Sequence, residues 1–179
     1  MKKIVVPSKE FFNEETSEFV TTKETTLCIE HSLLSISKWE SIWHIPFLQK
    51  KPKTTEQAIS YIECMTINGP IDKNVYSALS NQNLHDVQMY IDDPMTATTF
   101  SDIGGKKSNE VITSELIYYW MIALNIPFEC QKWHINRLLT LIRVCNIKNS
   151  PPKKMSKQSV LSRNRALNEA RRKRLGTKG

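Results

Sequence analysis

Residues 116–124, Leu-Ile-Tyr-Tyr-Trp-Met-Ile-Ala-Leu, are apolar all round when wound as a helix. A helix without a polar face has to be enclosed on every side, so the rest of the chain must supply its neighbours. The segment belongs to the longest helical block, residues 110–147, which Pro127 divides. In the second half Ile135, Leu138, Leu139, Leu141, Ile142 and Cys145 share one face at 100° per residue, while Lys132, Asn136 and Arg143 point away. The two halves predict an α-hairpin at the centre of the core.

Residues 1–30 carry the opposite signature. Ile4-Val5-Val6, Phe11-Phe12, Phe19-Val20-Thr21-Thr22 and Thr26-Leu27-Cys28-Ile29 are β-branched or aromatic, and the polar run Asn13-Glu-Glu-Thr-Ser17 between them signals a turn. A small antiparallel sheet is the product, and a two-stranded one must lean on helices or on another molecule. Its open edges would also suit pairing with a neighbour. Helices follow. Ser37-Lys-Trp-Glu40 and Thr54-Thr-Glu-Gln57 both have the capping-box form, the first opening a short helix that stops before Pro46, the second a helix that Asn68-Gly-Pro70 ends. Shorter helices are predicted over 74–79 and 81–91, before Asp92-Asp-Pro94. Residues 96–109 read as the least structured internal stretch.

The fold class is therefore α+β, mainly α: a small N-terminal antiparallel hairpin or sheet (1–30) packed on a helical body (31–149), with a basic C-terminal helical arm (150–179). At 179 residues one domain with a sizeable core is expected. The charge is divided just as sharply. Residues 148–179 hold eleven basic side chains against Glu169 alone, a net of +10; the remainder holds fourteen basic and seventeen acidic, a net of −3, within the chain's +7. Asn149-Ser-Pro-Pro152 reads as an extended linker, and the arm restarts with Ser156 as N-cap. Val160, Leu167 and Ala170 make only a thin apolar stripe, so the arm frays alone and orders on a partner.

No run of apolar residues reaches the length of a membrane span, and Met1-Lys-Lys leads into Ile4-Val-Val-Pro7 and charges rather than a signal peptide's core. A cytoplasmic protein is expected, with Cys28, Cys64, Cys130 and Cys145 as free thiols.

Catalytic signatures are absent. There is no G-x-S-x-G, H-E-x-x-H, Walker A or G-x-G-x-x-G string. Gly104-Gly-Lys-Lys-Ser108 lacks the spacing of a phosphate loop. Cys130 and His134 lie one helical turn apart, but helix rise puts Cys145 roughly 16 Å from His134, too far to close a zinc site. His134 reads instead as a hydrogen-bonded core histidine. The acidic pairs Asp92-Asp93 and Glu14-Glu15 diverge as neighbours do and form no acid/base dyad. The sequence predicts no enzyme, no cofactor and no metal site. Arg171-Arg172-Lys173-Arg174 would attract phosphates, but the arm has no aromatic residue to stack on bases and the body no nucleic-acid fold.

Longer strings carry a resemblance. Residues 31–40 (His-Ser-Leu-Leu-Ser-Ile-Ser-Lys-Trp-Glu), Pro46-Phe-Leu48, Tyr61-Ile-Glu-Cys-Met-Thr66 and 112–129 (Ile-Thr-Ser-Glu-Leu through Ile-Pro-Phe-Glu) resemble a family from the structural-gene block of tailed bacteriophages. Trp133-His134, Asn136-Arg-Leu-Leu139, Arg165-Ala-Leu-Asn168 and Leu175-Gly-Thr-Lys-Gly179 continue it across nearly the whole chain. The resemblance implies a tail assembly chaperone in the host cytoplasm, coating the tape measure protein until tube subunits polymerise round it. The expected partners are phage tail proteins and further copies of the chain. Trp39, Trp43 and the 116–142 hairpin would form an apolar groove. Arg163, Arg165, Arg171, Arg172, Lys173 and Arg174 would supply a polar grip. Two alternatives are a virion subunit of tail, baseplate or connector, and a DNA-binding or packaging protein using the arm.

Overall fold

The structure is a computed structural model that describes residues 1–13, 18–49, 51–100, 110–150 and 157–177. Four strands come first: β1 (Lys2–Val6), β2 (Lys9–Asn13), β3 (Glu18–Thr22) and β4 (Thr25–Ile29). Seven helices follow among the described residues: α1 (Leu33–Trp43), α2 (Thr55–Met65), α3 (Lys73–Ser77), α4 (Asn81–Asp92), α5 (Ser114–Ala123), α6 (Ile135–Asn149) and α7 (Lys157–Leu175). The fold is α+β and mainly α. It divides into two compact units, Met1–Asn146 and Ile147–Gly179, so the hairpin and the helical body form one unit. The expected loop at 104–108, the pair Glu14-Glu15, the prolines Pro151 and Pro152 and the cap Ser156 fall outside the described residues.

The strands are the legs of one long hairpin. β1 pairs antiparallel with β4, Lys2 opposite Ile29 and Val6 opposite Thr25; β2 pairs with β3, Lys9 opposite Thr22 and Asn13 opposite Glu18. Both ladders keep a single register, broken only where Pro7 and Ser8 face Lys23 and Glu24. Proline has no N–H to give the ladder. At the break the Thr22 hydroxyl substitutes, accepting from the Lys9 N–H at 3.2 Å and donating to the Lys9 carbonyl at 3.1 Å.

The break also turns the hairpin over. In the near half Ile4, Val6, Leu27 and Ile29 are buried against helices and Val5 is exposed. An unbroken strand would keep even-numbered residues of the first leg facing inward. Beyond the break, however, Thr22 is buried and Phe11 and Val20 are half-buried, while Phe12 and Phe19 face outward. The expected open edges are closed where helices are near. Residues 65–68 line β4, with Glu30 N–H donating to the Met65 carbonyl and Ile67 N–H to the Cys28 carbonyl, both at 2.9 Å. On β1, Asn83 Nδ2 donates to the Val5 carbonyl at 3.0 Å.

Capping fixes most helix starts. Thr54 and Gln57 form the expected box at α2, and Ser80 with Asn83 forms another at α4. α1 differs: its box is Ser32 with Ser35, so it starts at Leu33, well before the expected Ser37. Glu40 is thereby freed from capping and becomes a buried clamp. α5 ends at Ala123, and Asn125 just beyond its cap takes a left-handed φ of 52°, with the Ile126 N–H returned to the Met121 carbonyl at 2.8 Å. Residues Phe128–Lys132 then form a 3-10 turn packed on α1, and α5 takes α1 as its main helical neighbour. The expected α-hairpin is opened by this turn.

α6 buries Ile135, Leu138 and Ile142 on the predicted face. They meet Leu33, Ile36, Met65, Ile117 and Met121 in one core that also takes in the near half of the hairpin. No helix among the described residues is long and apolar enough to cross a membrane.

Candidate functional site

Trp39 and Trp43 sit one turn apart on α1 with rings stacked at 6.2 Å. Trp39 is 1% exposed, and its indole N–H donates to the Gln57 carbonyl at 2.9 Å. Phe47 packs edge-on to it at 5.2 Å and Tyr61 at 6.5 Å. A ring enclosed this way cannot line a docking groove, so the expected partner contact at Trp39 is replaced by a core role. Trp43 is half-buried and donates to Ser60 Oγ at 3.0 Å.

What α5 presents differs from a helix enclosed all round. Ser114, Ile117 and Met121 point inward, but Tyr119 is 63% and Ile122 60% exposed. They are three residues apart, hence on one face. Phe128, at the start of the following turn, is 53% exposed. α1 covers one side of α5, and no described residue covers this one.

The expected cationic contacts, Arg163, Arg165, Arg171, Arg172, Lys173 and Arg174, all lie on α7, where no side chain is buried. At 100° per residue Arg163 and Arg174 project from one side, Arg165 and Arg172 from the opposite one, and Arg171 and Lys173 from between. The positive charge therefore rings the helix. Glu169 pairs with Lys173 at 3.2 Å, an exposed i,i+4 contact that adds a few tenths of a kcal/mol at most. Arg172, Lys173 and Arg174 occupy the last turn, where cations complement the helix dipole.

A polar network lies inside the first unit. The His31 ring contacts the Tyr61 hydroxyl through Nδ1 and stands edge-on to His134, centroids 5.0 Å apart. His134 Nε2 meets the Tyr90 carbonyl at 3.0 Å, and its Nδ1 accepts from the Asn136 N–H at 3.3 Å, which fixes the proton on Nε2. His134 is thus a hydrogen-bonded core residue. Burial, then the neighbouring His134 and Lys53 charges, pull the His31 pKa down to about 3. Burial lowers His134 as well and pushes the Tyr61 phenol up. The network is held neutral, as a structural tie is. No three His, Cys, Asp or Glu side chains among the described residues group as a metal site. The four cysteines are free, with Cys130 buried.

Sequence reasoning missed Tyr119, Ile122 and Phe128 as surface residues, and the outward pair Phe12 and Phe19. The latter face each other across the ladder, ring centroids 5.3 Å apart and edge to face. The signal was present in the hairpin, because equal spacing from the turn makes them cross-strand partners. No family model, no curated protein and no solved structure matches this chain.

Proposed function

We propose that this chain is a non-catalytic tail assembly chaperone of a tailed bacteriophage, acting in the host cytoplasm on the tape measure protein. The observation that carries the reading is the uncovered face of α5. Tyr119 and Ile122, followed by Phe128, expose large apolar side chains on a helix whose composition calls for enclosure. A long amphipathic client helix has the complementary need, since its own apolar face aggregates unless covered. The family resemblance of residues 31–40 and 112–129 supplies the client's identity. α7, ringed with cations, is a second and electrostatic contact for acidic stretches of the same client.

Co-expression with the tape measure protein tests the reading. Tyr119→Ser with Ile122→Ser should leave the client insoluble, and truncation after Asn149 should weaken its capture. A client that stays soluble and captured with both variants sinks the proposal.

The outward pair Phe12 and Phe19 favours a second reading, a virion subunit that holds neighbours through its hairpin. Mass spectrometry of purified particles separates the two, because a chaperone leaves before the particle is complete.

A further inference from the structure

We propose that a groove between α2 and α4 receives the hairpin tip of a second copy of this chain. The proposal rests on neither the tail reading nor the α5 face. The groove holds about 410 Å³ and is walled by Phe47, Tyr61, Leu84 and Ile91, with Lys51 and Lys53 at its side. That volume falls in the range, roughly 300–1,000 Å³, of cavities that enclose apolar groups. Among the described residues, two cations and no carboxylate line it.

Lys53 shows what is missing. Its ammonium donates to the Phe47 carbonyl at 2.9 Å and lies 4.1 Å from the Phe47 ring centroid. No described carboxylate pairs with it, and burial lowers its pKa. A partly desolvated cation beside an apolar wall is suited to an occupant that brings aromatic rings and negative charge together.

The hairpin tip has that chemistry. Phe12 and Phe19 are 51% and 72% exposed and stand together on the outward face. Glu10, exposed and two residues before Phe12 on β2, shares that face and brings a carboxylate to it. No described hairpin residue of the same copy lines the groove. Tip and groove are different patches carried by every copy, so each molecule is both donor and acceptor. The aromatic pair supplies the anchor, and Glu10 supplies register against Lys51 and Lys53.

The test uses the full chain in sedimentation velocity, with circular dichroism confirming each variant's fold. The wild type should sediment as a concentration-dependent oligomer. Phe12→Ala with Phe19→Ala, and separately Lys51→Glu with Lys53→Glu, should each weaken association more than tenfold. Lys51→Glu alone, at an exposed side chain, serves if the double groove variant fails to fold. The deciding sample is the equimolar mixture of tip and groove variants. Each retains one working half, so the mixture should recover heterodimers. A monomeric wild type, variants of unchanged mass, or a mixture that stays monomeric overturns the proposal. So does a monomeric wild type whose Lys51→Glu variant loses a co-expressed client, which would assign the groove to that client.

Discussion

Glu40 reaches Ser114, seventy-four positions along the chain: one carboxylate oxygen accepts the Ser114 N–H at 2.8 Å, and the other accepts the Phe47 N–H at 2.7 Å. One side chain thus ties the start of α5 and the loop after α1 to α1 itself. Glu40→Ala leaves both N–H groups buried without partners, at about 1–3 kcal/mol each. A loss of about 2–5 kcal/mol in urea unfolding is expected. Glu40→Gln keeps one acceptor but turns an amide N–H₂ toward the other donor, so it should recover less than half the loss.

Acid should loosen the core through its histidines. Because the folded pKa of His31 is about 3 against 6.5 for an ordinary histidine, the unfolded chain takes up the proton first. Stability is then fully present above about pH 6.5 and falls as pH drops through the window toward 3, by up to ~1.4 kcal/mol per pH unit for each such histidine. Melting temperature measured from pH 7.5 to 5.0 should decline. His31→Gln should flatten the decline, and an unchanged slope in that variant would show that His31 is not its source.

The two stacked tryptophans should separate in mutagenesis. Trp39→Ala empties a site enclosed by Phe47 and Tyr61 and should cost about 3–5 kcal/mol. Trp43 is only half-buried, so Trp43→Ala should cost less than half as much. Denaturant midpoints at constant slope measure both. Equal losses would contradict the assignment of Trp39 to the core and Trp43 to its margin.

Tyr119→Ser with Ile122→Ser should behave in the opposite way. Exposed side chains away from caps and strained backbone change stability by about 0.5 kcal/mol or less. The double variant should melt with the wild type and have a smaller exposed apolar surface, read as weaker binding of a hydrophobic dye.

Removal of residues 150–179 should leave the melting temperature of the remaining chain within a degree or two. The first compact unit ends at Asn146, and α7 buries nothing. The net charge of the truncated chain changes sign, which an isoelectric gel reads directly.

Local chemistry was the legible part of this fold. The box at Thr54 and Gln57, the helix boundary at Ser80 and the buried face of α6 all follow from residues within two turns of each other. Ser37-Lys-Trp-Glu40 satisfies the same pattern and misleads, because Glu40 is claimed by backbone seventy-odd positions away. Composition shows that α5 needs covering, but only tertiary packing decides that α1 covers one side and leaves Tyr119 and Ile122 bare. The face-exchanging break at Pro7 was hidden for a similar reason: alternation shows which residues share a face, and not which face the helices occupy beyond an interruption. The α2–α4 groove draws on three separated segments, which no local pattern brings together.

The uninterrupted register of the hairpin has a consequence for how this chain can vary. Because Lys9 opposes Thr22 in the same numbering that sets Val6 opposite Thr25, matched residues can be added to or taken from the two distal legs without shifting a single pair in the half that builds the core. The outer hairpin is a replaceable cassette on a fixed mount. Partner choice at the tip and folding at the base can therefore change independently, and a foreign loop or label grafted between β2 and β3 should be carried without cost to the body.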